Sequence, residues 1–470
     1  MEKDIANFSI KYLQEKGAEY AEARLEEYDN TGFMLKNNTP EISGFDKNSG
    51  LGLRFIYHQT LGFVSINNFD KDKIKQTIDK SLSLTKKSSQ IGEKVDLSKD
   101  SIYKKNYEVK QKQKIEDLRP EDKINILKEL DKDVLNTKVK VPARYFSLSD
   151  VLTKKYYINS EGKEITSTIP RINLFYFLTI GAGKKLVQRY WQYGAVSGYE
   201  AIKKWNIHNV LQDEIKALDL VQKNGKKGPQ GKIDVVAGPE ITGIAVHEAC
   251  GHPYEADRIY GREGAQAGES FVNINSIGEK IGNEAVTVID DPMIENAFGY
   301  YQYDDEGVKA KKKYLMKNGI INEFLHDRQT SFKLNKKSNG SSRASSFGVE
   351  PLIRMSNTYI KQGKYSEEEL IEGVKNGILM KSFTEWNIDD KRWNQKYVGS
   401  EAYLIKNGEI AYPLIRPTIE ITTPSLYGSI DAIGKNFELH SASCGKGEPM
   451  QGLPVSLGGP SIRIRNITIK

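Results

Sequence analysis

The chain has 470 residues, 38% of them apolar and 28% charged, enough apolar material for a sizeable core and too much for wholesale disorder. Lys and Arg number 69 against 62 Asp and Glu, and the resulting net charge of +7 is a small excess that speaks for a mixed surface and against a dedicated nucleic-acid binder. Two cysteines exclude a disulfide framework, and no apolar run approaches the roughly 18 residues of a membrane span, so a cytoplasmic protein of two or three domains, without membrane contact, is expected.

Ile5, Phe8, Ile10 and Leu13 recur with helical spacing up to Gly17, where a helix gives way to a strand. Over 50–57 and 61–66 the pattern alternates around His58-Gln59-Thr60, which predicts a hairpin. Helical spacing returns over 70–84 with Ile74, Ile78 and Leu82 on one face, and the Lys- and Ser-rich stretch 88–112 reads as a solvated excursion. A helix is predicted over 120–135 with Pro120 in its first turn, followed by β-rich runs over 138–187 and an amphipathic helix over 200–222. The Gly/Lys/Pro run 223–231 marks a domain boundary. The fold class is therefore α+β: an N-terminal domain over 1–225 that mixes helices with an antiparallel sheet, and a β-rich C-terminal domain over 232–470.

Within the second domain a short strand at 232–237 leads through Gly238-Pro239 into a helix. Segments 314–320 and 403–409 resemble each other, each an Asn-Gly hairpin signal, through either internal duplication or a shared turn type. The basic run 309–313 reads as a solvated hairpin edge, and the alternation over 461–469 predicts a closing strand.

The informative stretch is His247-Glu248-Ala249-Cys250-Gly251-His252, preceded by the apolar helical residues Ile241, Ile244, Ala245 and Val246. Histidines four apart on a helix lie about 40° apart and reach one metal; these are five apart, about 140° on a regular helix. They converge only if the helix widens locally to five residues per turn or ends at the second histidine, and Gly251 is where such a distortion costs least. The pattern is open to two readings, a core histidine beside a surface acid or two metal ligands beside a base. A third donor suited to zinc, Cys444 in Ser443-Cys444-Gly445-Lys446-Gly447, favours the metal, while Cys250 reads as a small buried residue beneath the site. Asp304-Asp305-Glu306 before Gly307 reads as a polar turn or as carboxylates orienting a metal ligand.

The segment from His247 to Asp257 resembles the HExxxH signature of the TldD/PmbA family of zinc metallopeptidases, in its catalytic TldD branch. Further matches follow in family order: Asp290-Asp291-Pro292, Asp304-Asp305-Glu306-Gly307, Arg354-Met355-Ser356-Asn357-Thr358-Tyr359, Ser400-Glu401-Ala402-Tyr403 and Cys444-Gly445-Lys446-Gly447. The resemblance implies that His247, His252 and Cys444 hold Zn2+, that Glu248 is the general base, and that Ser341-Ser342-Arg343-Ala344 and the Arg354–Tyr359 segment line a cleft for an extended peptide. Arg343, Asn357 and Tyr359 are the substrate-binding candidates, Arg343 as a partner for a substrate carboxylate. It further implies an enclosed dimer, with a PmbA-type subunit or a second copy, that degrades short or unfolded peptides. The competing reading is a non-catalytic, zinc-stabilised interaction protein.

Overall fold

At Gly17, with its left-handed φ of 91°, the chain turns from helix α1 (Lys3–Glu15) into strand β1 (Tyr20–Lys36). The structure is a computed structural model and describes residues 1–183, 185–264 and 269–470. Strand β2 (Thr39–Tyr57) joins β3 (Thr60–Ile66) through His58 and Gln59, whose φ of 51° and 55° make a two-residue turn twisted like the strands it connects. Thr60 therefore belongs to the strand rather than to the connection. Helix α2 (Lys71–Ser88) starts where the Asp70 carboxylate accepts from the Asp72 and Lys73 amides, and it buries Ile74, Ile78 and Leu82 against Leu51, Leu53 and Phe55.

The stretch expected as a solvated excursion contains β4 (Lys104–Glu108), an exposed strand whose run of lysines hid its pairing with the main sheet. Helix α3 (Pro120–Asn136) follows, then the long strands β5 (Ala143–Asn159), β6 (Glu164–Ala182) and β7 (Lys185–Ala195). These strands form one seven-stranded sheet of order β3-β2-β1-β5-β6-β4, with β7 on the later part of β6. Along β6, Ile172, Leu174, Tyr176 and Leu178 are buried under α3 and the helix Ile207–Asn224, while the alternate face looks toward the C-terminal half. The helix expected over 200–222 is broken by Asn206 at φ 48°, which separates Glu200–Lys204 from Ile207–Asn224.

Beyond the boundary run the chain is mostly strand. Gly231–Ala237 lies between Ile462–Ile469 and Asn376–Met380 in a ten-stranded sheet. A six-stranded sheet places Asn357–Ile360 between Val288–Asp290 and Gln451–Gly459, and the last of these pairs with Glu438–Lys446. The architecture is α+β. The two Asn-Gly hairpins both have left-handed turn residues (Asn318 and Gly319, Asn407 and Gly408) yet sit in different sheets. Among the described residues no helix is long and apolar enough to cross a membrane.

The 309–313 run is not a solvated edge throughout, because Lys313 is fully buried on Asp290, 2.8 Å away. Burial works to raise the Asp290 pKa, but Lys313 and the donors Ser356 N, Ser356 Oγ and Thr358 Oγ1 hold it below the usual carboxylate range. A carboxyl with a depressed folded pKa contributes stability above its ordinary titration range and loses it as pH falls through the folded value. Lys313→Met leaves that carboxylate buried without its cation and should cost about 3–5 kcal/mol at pH 7 in denaturant unfolding. Its Asp290 should then bind a proton readily, so the deficit should narrow as pH approaches 4; a deficit independent of pH would contradict the assignment.

Candidate metal centre

Helix Pro239–Val246 packs so closely on Gln451–Gly459 that a Cβ at Gly243 would stand 2.7 Å from Leu457 Cδ1. This contact sets the helix end beside the hairpin that carries Cys444. At His247 the helix widens: residues His247–Gly251 form one π turn, in which the His252 amide donates to the His247 carbonyl five residues back. That widening cancels the angular mismatch of the spacing, and the two imidazoles meet edge to face with ring centroids 4.9 Å apart. Gly251 keeps an ordinary helical φ of −58°. Its role is space, since a Cβ there would meet Met355 Sδ at 1.8 Å.

One ligand atom from each of His247, His252 and Cys444 lies within 4.8 Å of the others, and all three side chains are buried. Cys444 Sγ is 3.4 Å from His252 Nε2 across 192 residues of sequence. Two such ligands of one tetrahedral zinc stand about 3.6 Å apart on ordinary bond lengths, so the pair fits a shared ion. His252 Nδ1 is 3.1 Å from Glu255 Oε2, which assigns the proton to Nδ1 and leaves the Nε2 lone pair toward Cys444. His247 Nδ1 is buried without a hydrogen-bond partner. Burial pushes the pKa of both histidines down, that of His252 well below its usual value, so both are neutral, as ligation requires. Cys250, buried beneath the site with its pKa raised by burial, is not part of the cluster.

Glu248 lies on the same π turn and accepts from Arg392 Nη1 at 2.5 Å. Glu255 in turn accepts from Lys446 Nζ at 3.0 Å, and Lys446 also reaches Asp257 and the Ile353 carbonyl, which fixes the strand next to Cys444. The cluster opens into a cleft of about 750 Å³ whose far wall is N-terminal: Phe175, Tyr190, Trp191 and Gln192, with Trp386 and Met450 at the rim.

None of the three substrate-binding candidates lines this cleft, although Arg343 borders a separate cavity of about 240 Å³. Arg343 spends its guanidinium on the Met355 and Pro454 carbonyls, at 2.6 and 2.8 Å. Asn357 is wholly buried and bridges Gly299 N and Asp291 O. Tyr359 packs on Phe437 in the interior of the six-stranded sheet. Nor do Asp304, Asp305 and Glu306 join the ligand cluster. Asp305 pairs with Lys155, and Glu306 accepts from Arg54 Nη1 at 2.6 Å, clamping the N-terminal sheet to the C-terminal half. Sequence reasoning missed Arg392 and the role of Lys446. Only the Cys-Gly-Lys-Gly run pointed to the second, and nothing in sequence pointed to the first.

Three family models match: PmbA/TldA metallopeptidase domain 1 over residues 21–85, the central domain over 113–224 and the C-terminal domain over 230–470. A metalloprotease of Methanocaldococcus jannaschii is 34% identical over 461 residues, covering 97% of each chain. A zinc metalloprotease TldD homolog of Saccharolobus solfataricus is 28% identical over 470 residues, covering 98% of each. In fold, the crystal structure of TldE from Thermococcus kodakarensis superposes with a TM-score of 0.73 at 17% identity, covering 99% of both chains.

Proposed function

The chain belongs to the PmbA/TldD metallopeptidase family and is a protease, and from that premise we propose that it is a zinc peptidase acting on short or unfolded peptides. The observation that carries the reading is the convergence of two π-turn imidazoles and a distant thiolate beside a buried glutamate. His247, His252 and Cys444 would hold the metal; among the described residues no fourth His, Cys, Asp or Glu joins them, which leaves a position for water rather than a closed structural site. This favours an enzyme over an interaction protein. Bound zinc supplies a Lewis acid for the scissile carbonyl and lowers the pKa of water in the open position. Glu248 would serve as the general base, its carboxylate held through Oε2 by Arg392. Glu255 and Lys446 hold the His252 ring in the orientation and tautomer that ligation needs.

The peptide would lie extended in the cleft between the N-terminal wall and the Cys444 hairpin. Tyr190, Trp386 and Met450, exposed at its mouth, support coverage by a second subunit, a PmbA-type partner or another copy, that encloses the site in the cytoplasm. Light scattering with and without such a partner should show a dimer, and one sequence offered in folded and unfolded form should be cut only when unfolded. A strict monomer that cuts both forms equally would overturn the enclosed-chamber reading.

A further inference from the structure

The face of β6 turned toward the C-terminal half carries Arg171, Asn173 and Phe175 in alternation. Phe175 lines the metal cleft, while Asn173 and Arg171 line an adjoining cavity of about 270 Å³. Arg171 continues into a third space of about 240 Å³. On the opposite wall, Ser443 borders the first two spaces, and Gly452 and Pro454 border the second and third. Ser443 pairs with Pro454 directly beside the Cys444–Leu453 pair. The three spaces thus lie in a row between β6 and the hairpin, starting next to the metal-ligand cluster.

Arg171 is the anomaly in this groove. Among the described residues its guanidinium has no hydrogen bond or ion pair, and its Nε is buried without a partner, as is Asn173 Oδ1. The neighbouring charges do not neutralise it. Arg343 is a second guanidinium, bonded to two carbonyls and set over the Tyr301 ring; Asp305 is paired with Lys155, and Asp150 with Lys123 at 2.7 Å. Burial, with Glu306 adding to it, drives Asp304 toward its neutral form. Burial and then Arg343 pull the Arg171 pKa down to about 10, the sign of a cation that lacks an anion. Arg171 is half-buried and without an anion, and a carboxylate can meet a guanidinium through two parallel hydrogen bonds.

We propose that Arg171 binds a carboxylate of the peptide substrate, either the α-carboxylate of its C-terminus or an acidic side chain. Arg171 and Phe175 are four positions apart on the strand, about 13 Å at 3.3 Å per residue, so the carboxylate sits about four residues along an extended chain from the metal cleft. The proposal rests on the peptidase reading, and it names the substrate class.

Fluorescence anisotropy with a labelled, disordered ten-residue peptide tests it on the full-length protein, with the metal removed by chelation and again with it present. The peptide is used as free acid, as C-terminal amide, and as amide with one internal Glu. The wild type should bind the free acid, or the Glu-bearing amide, about tenfold or more tighter than the plain amide, and which of the two is preferred identifies the carboxylate's source. Arg171→Gln should abolish the preference, Arg171→Lys should restore part of it, and Arg171→Gln should melt no lower than the wild type, since it removes a half-buried cation that has no anion. Equal binding of all three peptides by the wild type, a preference that survives in Arg171→Gln, or equal weakening of all three peptides in that variant would overturn the proposal. Cleavage of the plain amide by the metal-loaded wild type is read separately, so the peptidase reading can stand where the carboxylate site falls.

Discussion

Glu248→Gln should keep about one zinc per chain and a folded baseline while peptide hydrolysis falls by about 10²- to 10⁴-fold, the usual contribution of a general base. The carboxylate is 3% exposed and bonded to Arg392, so loss of activity alone would not separate chemistry from folding. Gln preserves the side-chain volume and an oxygen that accepts from Arg392, and it removes only the charge and basicity that proton uptake requires. Glu248→Ala would instead strand the guanidinium of a buried pair, at a cost of about 3–5 kcal/mol, so Gln is the cleaner variant. Metal content, a thermal melt and chromatographic assay of an unfolded peptide, taken on the same sample, decide the role. A Gln variant within tenfold of wild-type turnover would show that Glu248 is not the base.

Cys444→Ala should lose the metal and, with it, the stabilisation that ion binding confers. Its fold should survive: the pairing of Cys444 with Leu453 is made by backbone, and Arg354 donates to the Cys444 carbonyl rather than to its sulfur. A ligand present at about a thousand times its Kd adds about 4 kcal/mol to folding stability, so chelation should lower the wild-type melting temperature by several degrees. In Cys444→Ala the melt should already sit at the lowered value, and chelator should no longer move it. His252→Ala should behave the same way with respect to metal. A Cys444→Ala protein that retains stoichiometric metal and responds to chelator as the wild type does would remove Cys444 from the site.

The histidine spacing made the site legible in sequence because it posed a geometric problem with few solutions, and the π turn is one of them. The role of Gly251 was not legible, because the side chain that needs its space, Met355, lies in a distant segment. The same distance hid the partners of the substrate-binding candidates. A polar residue in a Ser-rich loop looks alike whether it meets substrate or, as Arg343 does, two main-chain carbonyls. Lys313 looked like the rest of its basic run until tertiary structure set it on Asp290. Arg392 is 144 residues from Glu248, and its local sequence reads as a polar turn. The helices and several strands, by contrast, follow from local periodicity and were readable, except for the break at Asn206 and for β4, whose pairing owes nothing to an apolar face.

X-ray absorption at the zinc edge of the purified full-length protein tests the central claim most directly. The account predicts about one zinc per chain with two imidazole nitrogens at about 2.0–2.1 Å, one sulfur at about 2.3 Å and one further light-atom ligand, the sulfur vanishing in Cys444→Ala. A native spectrum without sulfur, or a protein that carries no transition metal after preparation in zinc-containing medium, would contradict it.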